Sequence, residues 1–244
     1  MISPSPNLPD PTVILATDRF VVIDKPSGML SVIGKGPDKH DCAVVRVARM
    51  FPAARGPMVV HRLDMDTSGL LLVAFDAQAQ RELSMQFEQR IVHKAYVALL
   101  DGVLERDHGR VEFSMRADLS RRPIQILDDE LGRPSVTNYR VLSREVDRTR
   151  VRFEPITGRS HQLRVHAATP TPRGLGAPIV GDVLYGNVGR SEREIAGAHE
   201  SNDSSDLAFS INANADRLML HAAYISFIEP SGTRRIECVS AVPF

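Results

Sequence analysis

Residues 61–74 read His61-Arg62-Leu63-Asp64-Met65-Asp66-Thr67-Ser68-Gly69-Leu70-Leu71-Leu72-Val73-Ala74. The first nine pack two carboxylates, an arginine and a histidine into a turn-forming stretch. The last five are an unbroken apolar run that, with Phe75, reads as a strand over 70–75. Asp76 follows as a cap for a helix reaching residue 90, with Ala79, Leu83 and Phe87 four apart on one face. Towards the N-terminus, Phe20-Val21-Val22-Ile23 predicts a short buried strand, closed by the turn Lys25-Pro26-Ser27-Gly28, and residues 43–50 a helix. Beyond the loop, strand-like runs recur at 95–100, 109–113, 136–142 and 149–155. Thr157-Gly158-Arg159-Ser160 then turns into a short helix over 161–168, with Ser160 placed to cap it. The end pairs 218–228 with 236–239 across Glu229-Pro230-Ser231-Gly232, a hairpin. Many strands, few helices and no regular alternation predict an α+β fold, a mainly antiparallel mixed sheet flanked by helices and loops. Residues 1–12 read as a flexible arm, 13–244 as one catalytic domain, and the acidic 187–215 as a surface insertion.

Composition narrows the function. With 43% hydrophobic residues in 244, the chain has ample material for a packed core. No apolar run nears the ~20 residues of a membrane span, and the start lacks a basic or hydrophobic leader, so a soluble, cytoplasmic protein is expected. Cys42 and Cys238 stand far apart without metal-ligand spacing, which predicts neither a disulfide framework nor a metal site. Thirty basic residues balance thirty acidic ones. Locally the balance fails: residues 133–173 hold nine arginines against three acids, and 187–216 two arginines against six acids. The first segment suits phosphates and the second avoids them.

Several readings compete for the opening stretch. Asp64-x-Asp66-x-Ser68-Gly69 imitates an EF-hand loop, but position twelve is Phe75 rather than a bidentate glutamate. Asp64-Met65-Asp66-Thr67 resembles the Asp-x-Asp motif of metal-dependent phosphatases, yet Lys94 is the only later lysine and no matching acidic pair follows. Asp66-Thr67-Ser68-Gly69 is a fainter likeness to aspartic proteases. Taken alone, Asp64 and Asp66 could simply cap a turn.

The rest of the chain separates these readings. The stretch 61–74 closely resembles the signature of the RluA family of pseudouridine synthases. Five further stretches agree in order and spacing: Asp24-Lys25-Pro26-Ser27-Gly28-Met29-Leu30, Lys94-Ala95-Tyr96-Val97-Ala98, residues 155–166, Gly181-Asp182-Val183-Leu184-Tyr185-Gly186 and Arg217-Leu218-Met219-Leu220-His221-Ala222. The resemblance implies an enzyme that isomerises uridine to pseudouridine in RNA without metal or organic cofactor. It assigns the essential carboxylate to Asp64, which could attack the sugar or base, or take a ribose proton so that a glycal forms. It makes Arg164 the cation that keeps Asp64 ionised and Tyr96 the ring that stacks on the flipped base. Arg62 becomes the side chain filling the gap left by the extruded nucleotide. Arg159, His161 and Arg173 are the further RNA contacts; His61 and Thr67 hold the loop, and Asp66 orders the turn. With the pattern beginning near Phe20, the chain resembles the compact members that modify a large-subunit ribosomal RNA stem-loop and, in dual-specificity cases, the anticodon arm of tRNA, and a monomer is expected. Arg133, where relatives often have lysine, and the long segments 169–176 and 187–215 are departures. An idle RNA-binding protein on the same scaffold is the alternative, with the phosphatase behind it.

Overall fold

A computed structural model describes residues 8–36, 39–52, 54, 58–186 and 215–244. Along the chain run β1 (Thr12–Ala16), β2 (Phe20–Lys25), α1 (Ala43–Met50), β3 (Ser68–Ala74), α2 (Ala77–Glu88), β4 (His93–Asp101), β5 (His108–Ala117), β6 (Gln125–Leu127), β7 (Arg133–Arg144), β8 (Arg148–Pro155), α3 (Gln162–Ala168), β9 (Leu220–Ile228) and β10 (Arg235–Val239). The α+β expectation holds. Two compact units form: Met1–Tyr96 with Leu220–Phe244, and Val97–Met219.

In the first unit β3 is the centre. All seven of its residues are buried, which its unbroken apolar run requires. It pairs antiparallel with β2 and, through Ser68↔His221 and Gly69↔Ala222, parallel with β9. β1 and β10 flank these as antiparallel neighbours of β2 and β9. Alternation along the strands divides the core in two. Phe20, Val22, Leu70 and Leu72 pack with Ala79 and Leu83 of α2, while Val21, Ile23, Leu71 and Val73 pack with Ala43 and Val47 of α1. Asp76 caps α2 by accepting from Gln78 N and Ala79 N, and Arg19 grips its carboxylate at 2.9 Å. Gly69 (φ +109°) makes the β3–β9 approach possible: a Cβ there would lie 2.6 Å from Ala222 N.

The second unit is built on the long β5–β7 pairing, His108↔Arg140 to Met115↔Arg133, with β8 on the far side of β7 and β6 on β5, all antiparallel. α3 is buried along its whole length.

Three local readings change. β1 lies where a loose arm was expected to end, and Leu8 and Asp10 before it engage Arg46. β6 is too short, at three residues, to show a periodicity. Ser160 does not cap α3: His161 is the capping position, at φ 54°, and makes no side-chain cap bond. Buried Gln162 takes over the turn, accepting from Thr157 Oγ1 and Arg159 N and donating to Val136 O and Thr137 Oγ1. Residues 1–7 of the arm and 187–214 of the acidic insertion lie outside the described residues.

Candidate active site

The loop entering β3 is held backbone atom by backbone atom. His61 Nε2 accepts Leu72 N–H at 3.0 Å, and its ring stacks on Phe87 at 4.6 Å. Burial, helped by the Lys94 charge, pushes this imidazole down to about 3, so it stays neutral and carries its proton on Nδ1. Ser31 Oγ both donates to Leu63 O (2.7 Å) and accepts Leu63 N–H (3.0 Å). Lys25 is fully buried, and its ammonium donates to Met65 O, Pro26 O and Met29 O at 3.0, 3.0 and 2.8 Å. Ser27 Oγ closes the set on Asp66 O at 2.6 Å. Side chains from residues 25–31 thus fasten the main chain on both sides of Asp64. Thr67 is buried beneath the same loop.

Asp64 itself is half-buried, and among the described residues its carboxylate makes no hydrogen bond or ion pair. Its charge reaches Tyr96 on β4, whose hydroxyl is pushed up first by burial and then by Asp64. The phenol therefore keeps its proton at neutral pH. Exposed Arg62 has no hydrogen-bonding or ionic partner among the described residues. The structure thus brings Asp64 and Tyr96 together and leaves Arg62, two positions before Asp64, exposed.

In the second unit Arg164 is buried and bound fork to fork by Asp182, Nε to Oδ2 at 2.8 Å and Nη2 to Oδ1 at 2.6 Å. Asp182 also accepts Leu184 N and Tyr185 N, and the guanidinium lies 5.3 Å over the Tyr185 ring. The Tyr185 hydroxyl accepts Gln125 N–H and shares a 2.8 Å hydrogen bond with His161 Nδ1. His161 and Arg164 are therefore set by one clamp, Asp182 with Tyr185. Arg159 Nε is turned to Pro134 O at 3.1 Å. Arg173 is paired with Asp129 at 2.8 Å and lies 6.0 Å over Phe113.

These pairings revise the charge tally. Arg144, Arg164 and Arg173 meet Asp107, Asp182 and Asp129, all outside residues 133–173, and Arg152 meets Glu154 within it. A count along the sequence overstates the positive charge displayed, because acids from other elements fold onto it. Sequence reasoning names Lys25, Ser27, Asp182 and Tyr185 only as members of motifs, with no site role attached, and does not reach Ser31. One signal was available for Lys25: a lysine ending an apolar strand in a chain with only four lysines.

The family described as RNA pseudouridylate synthase matches residues 19–169, a span that contains Asp64, Tyr96 and Arg164. The chain belongs to this family. The synthase is 39% identical over 220 residues to the dual-specificity RNA pseudouridine synthase RluA of Yersinia pestis, covering 89% of this chain and 93% of the relative. With the RluA of Pasteurella multocida it shares 47% over 169 residues, 69% of this chain and 74% of the relative. Among solved structures, human RNA pseudouridylate synthase domain containing 1 superposes with a TM-score of 0.70 at 28% identity, covering 96% of this chain and 84% of that one. The synthase is thus an RNA-modifying isomerase of the RluA type. No helix among the described residues is long and apolar enough to cross a membrane.

Proposed function

We propose that this synthase isomerises a uridine in structured RNA, in a large-subunit ribosomal RNA stem-loop, the anticodon arm of tRNA, or both, and that Asp64 is the carboxylate that carries the reaction. The observation behind the assignment is the contrast at the loop: the main chain around Asp64 is fastened at Leu63, Met65 and Asp66, while the carboxylate is left uncommitted beside a protonated Tyr96. A group preorganised by its neighbours and not neutralised by them is suited to act on a substrate. The reaction breaks the bond from ribose C1′ to uracil N1, turns the base and joins C1′ to C5; N1 gains a proton and C5 loses one, with no net redox change. Asp64 serves by attack or by taking a ribose proton. Tyr96 stacks on the flipped base and can move the C5 proton. Arg164 provides the fixed cation of the family pattern. Arg62 fills the gap in the RNA, and Arg159, His161 and Arg173 contact its backbone. The dual specificity in the names of the Yersinia and Pasteurella relatives supports more than one target RNA. The enzyme works as a cytoplasmic monomer, with residues 13–244 as its catalytic domain.

The test is to incubate the purified protein with transcribed ribosomal and transfer RNA fragments and map pseudouridine by carbodiimide labelling and primer extension. Wild type and Asp66→Asn form the product; Asp64→Asn binds RNA and forms none. The reverse pattern in the two variants assigns the chemistry to Asp66.

A further inference from the structure

Behind the Asp64 loop, on the α2 side of the first unit, lies a chain of buried polar groups that the reaction described above does not use. Ser68 opens β3, and its Oγ is 2.8 Å from His221 Nδ1. His221 Nε2 is 2.9 Å from Ser240 Oγ. Ser240 Oγ donates to Asp24 Oδ2 in a short hydrogen bond. Ser68, His221 and Ser240 are all buried. Ser240 gives its one hydroxyl proton to Asp24, so it accepts Nε2–H from His221, and His221 Nδ1 faces the Ser68 hydroxyl. The chain ties together four segments distant in sequence: the end of β2, the start of β3, β9 and the C-terminal stretch.

Its position gives it a purpose. Asp24 and Lys25 are neighbours on a strand, so their side chains leave opposite faces. Lys25 grips Met65 O on the α1 face; Asp24 anchors the polar chain on the α2 face. The parallel contact of β3 with β9 spans only Ser68↔His221 and Gly69↔Ala222, and Gly69 supplies no side chain to secure it. Only three residues, Met65, Asp66 and Thr67, separate Asp64 from Ser68. A shift of Ser68 along or away from β9 pulls on this short segment and through it on the carboxylate, whose main chain is otherwise held by Ser31 at Leu63, Lys25 at Met65 and Ser27 at Asp66.

We infer that His221 is a positioning residue for Asp64, acting through the Ser68 hydroxyl. The inference rests on Asp64 being the reacting carboxylate. It predicts that the hydrogen bond at Nδ1 matters for rate, whereas the bond at Nε2 serves mainly to hold the ring. An asparagine amide falls near the Nδ1 position and a glutamine amide near Nε2, so the two substitutions separate the bonds.

Single-turnover rates at saturating RNA, RNA affinity and amide hydrogen exchange are measured for wild type, Ser68→Ala, His221→Asn and His221→Gln. Ser68→Ala and His221→Gln lose about 10- to 100-fold in rate, the penalty for a misplaced reacting group, with RNA affinity within about twofold. His221→Asn recovers most of the rate. In the free protein the amides of residues 63–68 exchange faster in the two slow variants than in His221→Asn, a readout that needs no RNA. Wild-type turnover on the chosen RNA fragments tests the substrate reading by itself, and the exchange arm stands whichever RNA is the substrate. Ser68→Ala removes one hydroxyl and carries the test if a His221 variant does not fold. The inference is overturned if Ser68→Ala keeps the wild-type rate and exchange, or if His221→Asn and His221→Gln lose rate equally.

Discussion

Arg62 and Arg164 show how differently one residue type is used. Arg164 is buried, and two of its nitrogens are bound by Asp182; Arg62 is exposed and uncommitted among the described residues. A side chain that fills a gap in stacked RNA has to be free to leave the protein surface, and its planar guanidinium can stack on bases. Arg62→Ala is expected to lower single-turnover rate about tenfold or more at saturating RNA, and to release RNA carrying 5-fluorouridine at the target faster than wild type. Full rate restored by raising RNA concentration reduces Arg62 to an ordinary phosphate contact. The motif around Asp64 was legible because it combines residue types rarely found together next to a buried strand. Its supports were not. Serine and lysine side chains that bind main-chain carbonyl groups leave no periodic or compositional trace, and Ser31 lies 32 positions from the carbonyl it binds.

Secondary structure was most legible where burial imposes a period. β2, β3, α1 and α2 followed from apolar spacing, and the β9–β10 hairpin from its turn. β1, with alternating exposed and half-buried positions at the edge beside β2, was hidden by the prolines before it. The cap of α3 was misread because a serine before a helix is an ordinary cap signal, and no local rule reveals that Gln162 is buried and pointed backwards. Two histidines shielded from water, His61 partly and His166 fully, fasten elements and should weaken the fold in acid. His61 joins the loop to β3 and α2; His166 on α3 pairs through Nε2 with Ser135 Oγ on β7, while its Nδ1 is buried with no hydrogen-bond partner among the described residues. Burial pushes His166 down to about 4, as it pushes His61 to about 3. Above pH 6.5 both are neutral whether the chain is folded or not. Below it the unfolded chain takes up protons that the folded chain refuses until pH 4 to 3, so stability falls with pH, by ~1.4 kcal/mol per pH unit for each fully titrating histidine. Urea midpoints between pH 7.5 and 4.5 should show this decline, and His166→Gln should flatten it. A midpoint unchanged down to pH 5 would mean that the two rings accept protons in place.

Taken whole, the chain is electrically neutral, and its grip on RNA depends on where arginines escape their own carboxylates. The logarithm of affinity should fall with the logarithm of salt at about −0.7 to −0.9 per phosphate contact. At least four of the nine arginines in residues 133–173 are paired with acids among the described residues, so the slope should be shallower than nine contacts give. Asp129→Asn, which releases Arg173, should tighten binding and steepen the slope, whereas a slope unaffected by that change removes Arg173 from the interface. The buried ammonium of Lys25 has a different kind of consequence. Acylating reagents need a deprotonated amine in contact with solvent, and this nitrogen is fully enclosed, with its protons directed at three carbonyl oxygens. Lys35, Lys39 and Lys94 retain some exposure. Brief treatment with an acetylating reagent should therefore mark those three and spare Lys25, whose slow labelling then counts the moments when the Asp64 loop comes loose. Saturating RNA should slow that clock, making one lysine a built-in record of how often the enzyme undoes its own active site.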